Sequence, residues 1–279
     1  MSNYQKKGYL TDDFKFFYLQ DEKLPEFSYH YHEFDKIVIF LSGSSKYIIE
    51  GKTYDLQPKD IILVSRNDLH KPLIDPAFPY ERIIIYAAPS FLQKHAAENA
   101  DLSSCFQLTK KRQQHVLRFS PEIYEKIITP ILHLQQDLAG GTFAHDLYIR
   151  LLFLEFLILL HRHIELEPAL PAPSCDKKIV DMIEYINENL FQDLSVETLS
   201  QRFYLSKYYM MRKFKEETGY TLHQYITQKR LLLSRDFILQ NIPLTKICFD
   251  CGFKDYSTFS RAFKSVFQCT PSAYKKRQR

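Results

Sequence analysis

The amino-acid sequence predicts an α+β chain of two domains, a β-rich first half closed by helices and an all-helical second half. Three observations carry this expectation. Short β-branched and aromatic runs recur between residues 14 and 90, a proline-rich stretch interrupts residues 166–176, and a repeated helix-turn-helix pattern follows it. At 279 residues the chain has room for about two hydrophobic cores.

The first domain is read as residues 1–165. KIVIFLSG, SKYIIEGKTYDL, KDIILVS and YERIIIYAA are runs of Ile, Val, Phe and Tyr separated by Gly, Pro, Asn and Asp, the pattern of a sandwich or small β-barrel with turns near Ser44 and Gly51. Two helices follow, at 120–138 and 142–164. Ser120 and Pro121 supply a cap and a first helical position, and Pro130 is expected to kink or split the first of these helices. LLFLEFLILL, residues 151–160, is about half of a bilayer span and contains Glu155, so it reads as a buried helix with no membrane partner. No apolar segment follows the basic residues of the start, so no secretory signal is expected and the chain is assigned to the cytoplasm.

Residues 166–176 form the expected linker and residues 177–279 the second domain. IVDMIEYINENL, 179–190, is amphipathic. FKEETGYTLHQY (214–225) and FKSVFQCTPSAY (263–274) then align with one another, matching Phe214 to Phe263, Thr221 to Thr270 and Tyr225 to Tyr274. Each copy is preceded by a short helix and a tight turn, around Tyr204 and Leu205 in one and Gly252 and Phe253 in the other. Ser206 is placed to cap the next helix of the first unit and Gly219 to end it, and a second capped helix starts near Asp255. Residues 222–240 are long enough for a rigid helix between the units.

Charge follows the same division. Residues 175–279 carry 18 Lys+Arg against 11 Asp+Glu, whereas the preceding residues carry 19 against 22. A basic module joined to a mildly acidic one suggests nucleic acid as a partner of the second half. Five cysteines, without framework spacing, fit a reducing compartment, and Cys248 and Cys251 read as core residues.

An α-helix fits the major groove of DNA, and two held roughly 34 Å apart enter successive grooves on one face. If the second helix of each unit reads, Met210, Phe214, Phe259 and Phe263 face the core. Tyr208, Met211, Arg212, Tyr256, Ser257, Ser260 and Arg261 are then left for the groove. Arg212 and Arg261 are repeat-equivalent and suited to guanine. Ser206, Lys207, Lys215 and Lys264 complete the candidate set as cap and phosphate contacts.

These residues carry a resemblance. GFKDYSTFSRAFKSVFQCTPSAYKKR, 252–277, is similar to the second helix-turn-helix of the AraC/XylS family of bacterial transcription regulators, and FKEETGYTLHQYITQKRL to its first. Gln268 stands where the family usually has glycine, Cys248 and Ser234 where it usually has alanine. The first domain resembles the cupin-like sensor domain found in that family, through HYHEFDKIVIFLSG and LQPKDIILVSRNDLH. The resemblance implies a cupin-like β-barrel with C-terminal helices used for dimerisation, then two helix-turn-helix subdomains on a linker helix. The implied partners are promoter DNA, a small effector, a second copy of the chain and, for an activator, RNA polymerase.

HYH at 30–32 raises the question of a metal. His30 and His32 share a strand face, and His70 is available as a later imidazole. Metal-binding cupins resemble H-x-H-x-x-x-E, but here the carboxylate position is Lys36, and Asp35 falls on the opposite face. The sequence therefore predicts no metal, no cofactor and no catalytic residue. His30, His32, Phe34, Lys36, Phe40 and His70 are instead the expected lining of a pocket for a sugar or anionic metabolite. The expected function is a ligand-responsive, sequence-specific DNA-binding regulator and not an enzyme. The competing reading is a metal-dependent cupin enzyme with an appended DNA-binding domain.

Overall fold

A computed structural model describes residues 5, 6, 10, 12–21, 27–98, 100–138, 140, 143–166, 173–240 and 242–277. They divide into two compact units, one built mainly from Lys6–Ile49 with Thr53–Pro173 and the other mainly from Ser174–Arg279. No helix among the described residues is long and apolar enough to cross a membrane.

The first unit holds two five-stranded sheets. One has the order β1 (Gln5–Lys6), β3 (His30–Tyr31), β8 (His70–Ile74), β5 (Ser45–Ile49), β6 (Lys52–Asp55). The other has the order β10 (Val116–Leu117), β7 (Ile61–Val64), β4 (Asp35–Ser42), β9 (Tyr80–Ala87), β2 (Phe14–Asp21). The expected cupin-like β-barrel thus takes the form of two packed sheets. The β5–β6 turn places both Glu50 and Gly51 at positive φ, the twist that two-residue hairpins favour. At the other expected turn, Gly43 lies at φ 120°, where an added Cβ would meet the Pro79 carbonyl oxygen at 2.6 Å.

Alternation along the second sheet explains why its strands are apolar on both sides. Ile37, Ile39, Ile61, Leu63, Ile83 and Ile85 join a core with helical residues. Val38, Phe40, Ile62 and Val64 join a separate core with Tyr47, Ile49 and Tyr54 of the opposite sheet. Strands covered on both faces read as continuous hydrophobic runs, and each fully buried Ile or Phe contributes about 1.5–3 kcal/mol. The covering helices are α1 (Pro89–Lys94), α2 (Ser104–Lys111), α3 (Pro121–Asp137) and α4 (His145–Leu166). Contrary to the expected split, α3 runs unbroken through Pro130, whose ring is buried with Ile127, Ile128 and Ile131 on the core face. Tertiary packing outweighs the single hydrogen bond that proline removes. Helix α4 reaches one residue into the expected linker, and residues 167–172 of that linker lie outside the described residues.

The second unit is α-helical. Its elements are α5 (Lys177–Glu188), α6 (Val196–Arg202), α7 (Lys207–Thr218), α8 (Leu222–Leu239), α9 (Leu244–Asp250), α10 (Tyr256–Phe267) and α11 (Pro271–Arg277). Helix α8 opens with a reciprocal cap, in which Thr221 Oγ1 accepts from the Gln224 amide and the Gln224 side chain accepts from the Thr221 amide. Arg230, in the middle of α8, donates from Nε to Leu190 O at 2.9 Å, from Nη2 to Gln192 O at 2.7 Å and from Nη1 to Gly252 O at 2.8 Å. One guanidinium thereby ties the segment before α6 to the turn after α9. Gly252, at φ 75°, is required there, because a Cβ would lie 2.6 Å from Arg230 Cζ and 2.7 Å from Leu190 O.

Candidate nucleic-acid interface and sensor pocket

The two helix-turn-helix units are α6–α7 and α9–α10. Ser206 accepts a hydrogen bond from the Tyr209 amide to start α7, and Gly219 ends it at φ 75°. Asp255 accepts from the Thr258 amide at 2.7 Å to start α10. Hydrogen bonds from the Thr258 amide and hydroxyl hold the Asp255 carboxyl below its ordinary pKa, with a smaller contribution from Arg261. Gln268 ends α10 in the left-handed region at φ 58°, and its side chain donates to Ser265 O at 2.9 Å.

Capping and periodicity together set which side chains face out. Met210, Phe214, Phe259 and Phe263 are fully buried, as the spacing predicts. Ser206, Lys207, Tyr208, Met211, Arg212 and Lys215 are exposed on α7 or at its start, and Ser257, Arg261 and Lys264 are exposed on α10. Ser260 is half-buried. Tyr256 is half-buried too, with its ring edge-on to Phe259 at 5.8 Å, so it is shared between the core and the outer face. On α7 the cations have acidic neighbours: Lys207 meets Glu197, Arg212 lies 3.7 Å from Glu216, and Lys213 lies 2.7 Å from Glu217.

In the first unit, the candidate pocket residues come from both sheets. Register pairs His30 on β3 with His70 on β8, and His32, two residues on, joins them. Ring centroids are 4.3 Å apart for His30 and His70, 4.8 Å for His32 and His70, and 5.0 Å for His30 and His32. Phe34 stacks on His32 at 4.7 Å. From the other sheet comes Lys36, whose cross-strand partner on β9 is Tyr86 and whose Nζ donates to Tyr47 Oη at 3.1 Å. Phe40 pairs in register with Arg82 and packs its ring against Tyr80 at 5.9 Å. All six expected pocket residues are buried, and Asp35 is turned away to accept from the Arg66 amide at 2.9 Å.

Burial dominates the electrostatics. It lowers the Lys36 ammonium to about 7, helped by the nearby Arg82. Burial also drives the His70 imidazolium well below its usual range, with Lys36, His30 and His32 adding repulsion, so His70 is neutral. Asp35 is raised to about 6 by burial, partly offset by its Arg66 hydrogen bond. Reading the sequence missed Arg82, Tyr47, Tyr80 and Tyr86. Arg82 is buried, pairs with Asp21 at 2.5 Å and donates to Tyr80 O at 3.0 Å. Its one legible signal is parity, since Tyr80, Arg82 and Tyr86 share a strand face.

Two helix-turn-helix units with capped second helices on a basic domain, preceded in the chain by a β-domain enclosing a polar cluster, define a regulator of transcription that carries both domains in one chain. The comparisons make this specific. Residues 16–161 match the family described as AraC-like ligand binding domain, and residues 199–277 match the one described as helix-turn-helix domain. The chain belongs to the AraC family of ligand-responsive, DNA-binding transcription regulators. It is 25% identical over 248 residues to the probable transcriptional regulator LumQ of Photobacterium leiognathi, covering 88% of this chain and 91% of that one. It is 24% identical over 258 residues to the transcriptional activator RhaS of Klebsiella pneumoniae, covering 90% and 89%. Among solved structures it is similar to ToxT from Vibrio cholerae at 15% identity and a TM-score of 0.37, covering 95% and 98%.

Proposed function

We propose that each chain lays α7 and α10 into successive major grooves of a promoter, under the control of a small anionic or hydroxylated molecule held in the first domain. The observation that carries this reading is the pair of capped helices, one burying Met210 and Phe214 and the other Phe259 and Phe263, each with an outer face bearing an arginine, Arg212 on one and Arg261 on the other. Ser206, Lys207, Lys215 and Lys264 serve phosphate contact and register, while Tyr208, Met211, Arg212, Tyr256, Ser257, Ser260 and Arg261 face the bases. The effector class follows from the buried Arg82 guanidinium and the buried Lys36 amine, both hydrogen-bond donors, together with the hydroxyls of Tyr47 and Tyr86. A carboxylate or a sugar satisfies such groups, and His30, His32, Phe34, Phe40 and His70 complete the lining.

The chain acts in this reading as a homodimer and not as an enzyme, in the cytoplasm where its promoter lies, with RNA polymerase as a further partner if it activates. Leu147, Leu151 and Ile158 are exposed on α4 at offsets that put them on one helix face, which supports a second copy docking there. Selection of genomic fragments on the full-length protein, with and without cell extract, tests the proposal. The expected result is salt-sensitive, sequence-selective binding of fragments whose affinity changes with extract. Binding without sequence preference at any salt concentration would overturn it.

A further inference from the structure

The histidines do more than line a wall. His30 Nδ1 lies 2.8 Å from the Ser28 carbonyl oxygen, and His70 Nδ1 lies 3.0 Å from the Asp68 carbonyl oxygen. A carbonyl only accepts, so each Nδ1 carries the proton, and Nε2 is the nitrogen that each ring can offer to a metal. This is the arrangement in which a backbone carbonyl orients a metal-binding imidazole through its far nitrogen. His70 is 0% exposed, and its Nε2 has no hydrogen-bond partner among the described residues. An unsatisfied buried acceptor carries a desolvation penalty, so the fold holds it there against that cost.

The three rings converge. One ligand nitrogen from each of His30, His32 and His70 lies within 4.8 Å of the other two, and all three residues are buried. Nitrogens bound to one zinc ion at about 2.0–2.1 Å stand roughly 3.3 Å apart in a tetrahedron, so side-chain rotation of about 1.5 Å closes the set. We infer that His30, His32 and His70 form a binding site for a divalent late transition metal such as zinc, cobalt or nickel. Three neutral imidazoles without a carboxylate suit these ions over magnesium or calcium.

The objection raised by Lys36 is weaker than its residue type suggests. Its Nζ donates to Tyr47 Oη at 3.1 Å, so the amine is directed to that hydroxyl. With lysine at the sequence position of the cupin carboxylate, the metal's remaining coordination falls to water or to an oxygen of the effector. The site adds to the sensor reading without depending on it, because the ion binds whether or not DNA affinity responds.

The test uses the full-length protein stripped with a chelator and titrated with zinc or cobalt alone, with metal content measured after desalting. The expected result is one ion per chain and a cobalt spectrum with visible ligand-field bands and no thiolate charge-transfer band. His32→Gln and His70→Gln should each weaken binding by at least ten-fold, and Lys36→Met should tighten it. Circular dichroism identifies any variant that fails to fold, in which case Lys36→Met and the cobalt spectrum decide. Cys248→Ser with Cys251→Ser should retain the ion. Absence of a stoichiometric ion, binding unchanged in folded histidine variants, or loss of the ion with the cysteines would each overturn the inference.

Discussion

Helix α7 ends on Gly219 at φ 75° and α10 on Gln268 at φ 58°, so the two repeats make the same left-handed stop with different residues. Glycine enters that region without penalty, whereas a side chain costs roughly 1 kcal/mol there. The outer faces differ as well. Both reading helices carry two more cations than anions, but α7 reaches that balance with four basic and two acidic residues, α10 with two basic residues alone. Arg212 and Lys213 therefore spend part of their charge on Glu216 and Glu217, while Arg261 and Lys264 form no ion pair among the described residues. Equal net charge thus conceals unequal availability to DNA: the first unit is the better folded stop and the second is the freer cation.

The largest expected effect probes whether the repeats stand or fall together. Phe214→Ala and Phe259→Ala each empty a fully buried aromatic site and should cost about 3–5 kcal/mol in denaturant unfolding. Each is expected to lower a shared transition of the helical domain. If Phe259→Ala melts only part of the helical signal, the two units are independent and the comparison must be made between separate folding bodies.

Arginine replacement separates the reading faces. Arg261→Ala should cost about 1–3 kcal/mol at a cognate site and relax sequence preference over half of the footprint. Arg212→Ala should cost less, since binding through Arg212 first draws it from Glu216. Affinity measured across a salt series checks this, and an equal or larger loss for Arg212 would reverse the ranking of the units. The smallest effect concerns the stops. Gln268→Gly should stabilise the chain by about 1 kcal/mol, and Gly219→Gln should destabilise it by a similar amount, both read as shifts of the denaturation midpoint. A neutral Gln268→Gly would mean that the hydrogen bond from its side chain to Ser265 O offsets the backbone penalty.

How much of this was legible beforehand divides along the distance between interacting residues. Ser206, Gly219, Asp255 and the buried Met210, Phe214, Phe259 and Phe263 are decided within one or two helical turns, and capping chemistry with periodicity suffices to find them. Arg82 depends on which strand lies beside which. Only the register that puts it opposite Phe40, and the second sheet that closes over both, bury a charge that local pattern would place in water. Lys36 was legible as the departure from a metal-binding pattern, but its depressed ammonium required knowing its surroundings. That the helix continues past Pro130 was hidden for the same reason, since the proline ring is buried on the core face and not accommodated by its neighbours in sequence alone.

Arg230 has a mechanical side. By fastening Leu190, Gln192 and Gly252 to one helix, it ties the segment ahead of the first helix-turn-helix unit to the turn inside the second. If α7 and α10 enter the grooves as proposed and this tie holds on DNA, misfit in spacing falls to the double helix. Bending a site by 40–90° costs about 1–6 kcal/mol and depends on the base steps being bent. The untouched bases between the two contacted segments would then matter through their pliability, and one guanidinium in the protein would act as a selector of DNA flexibility.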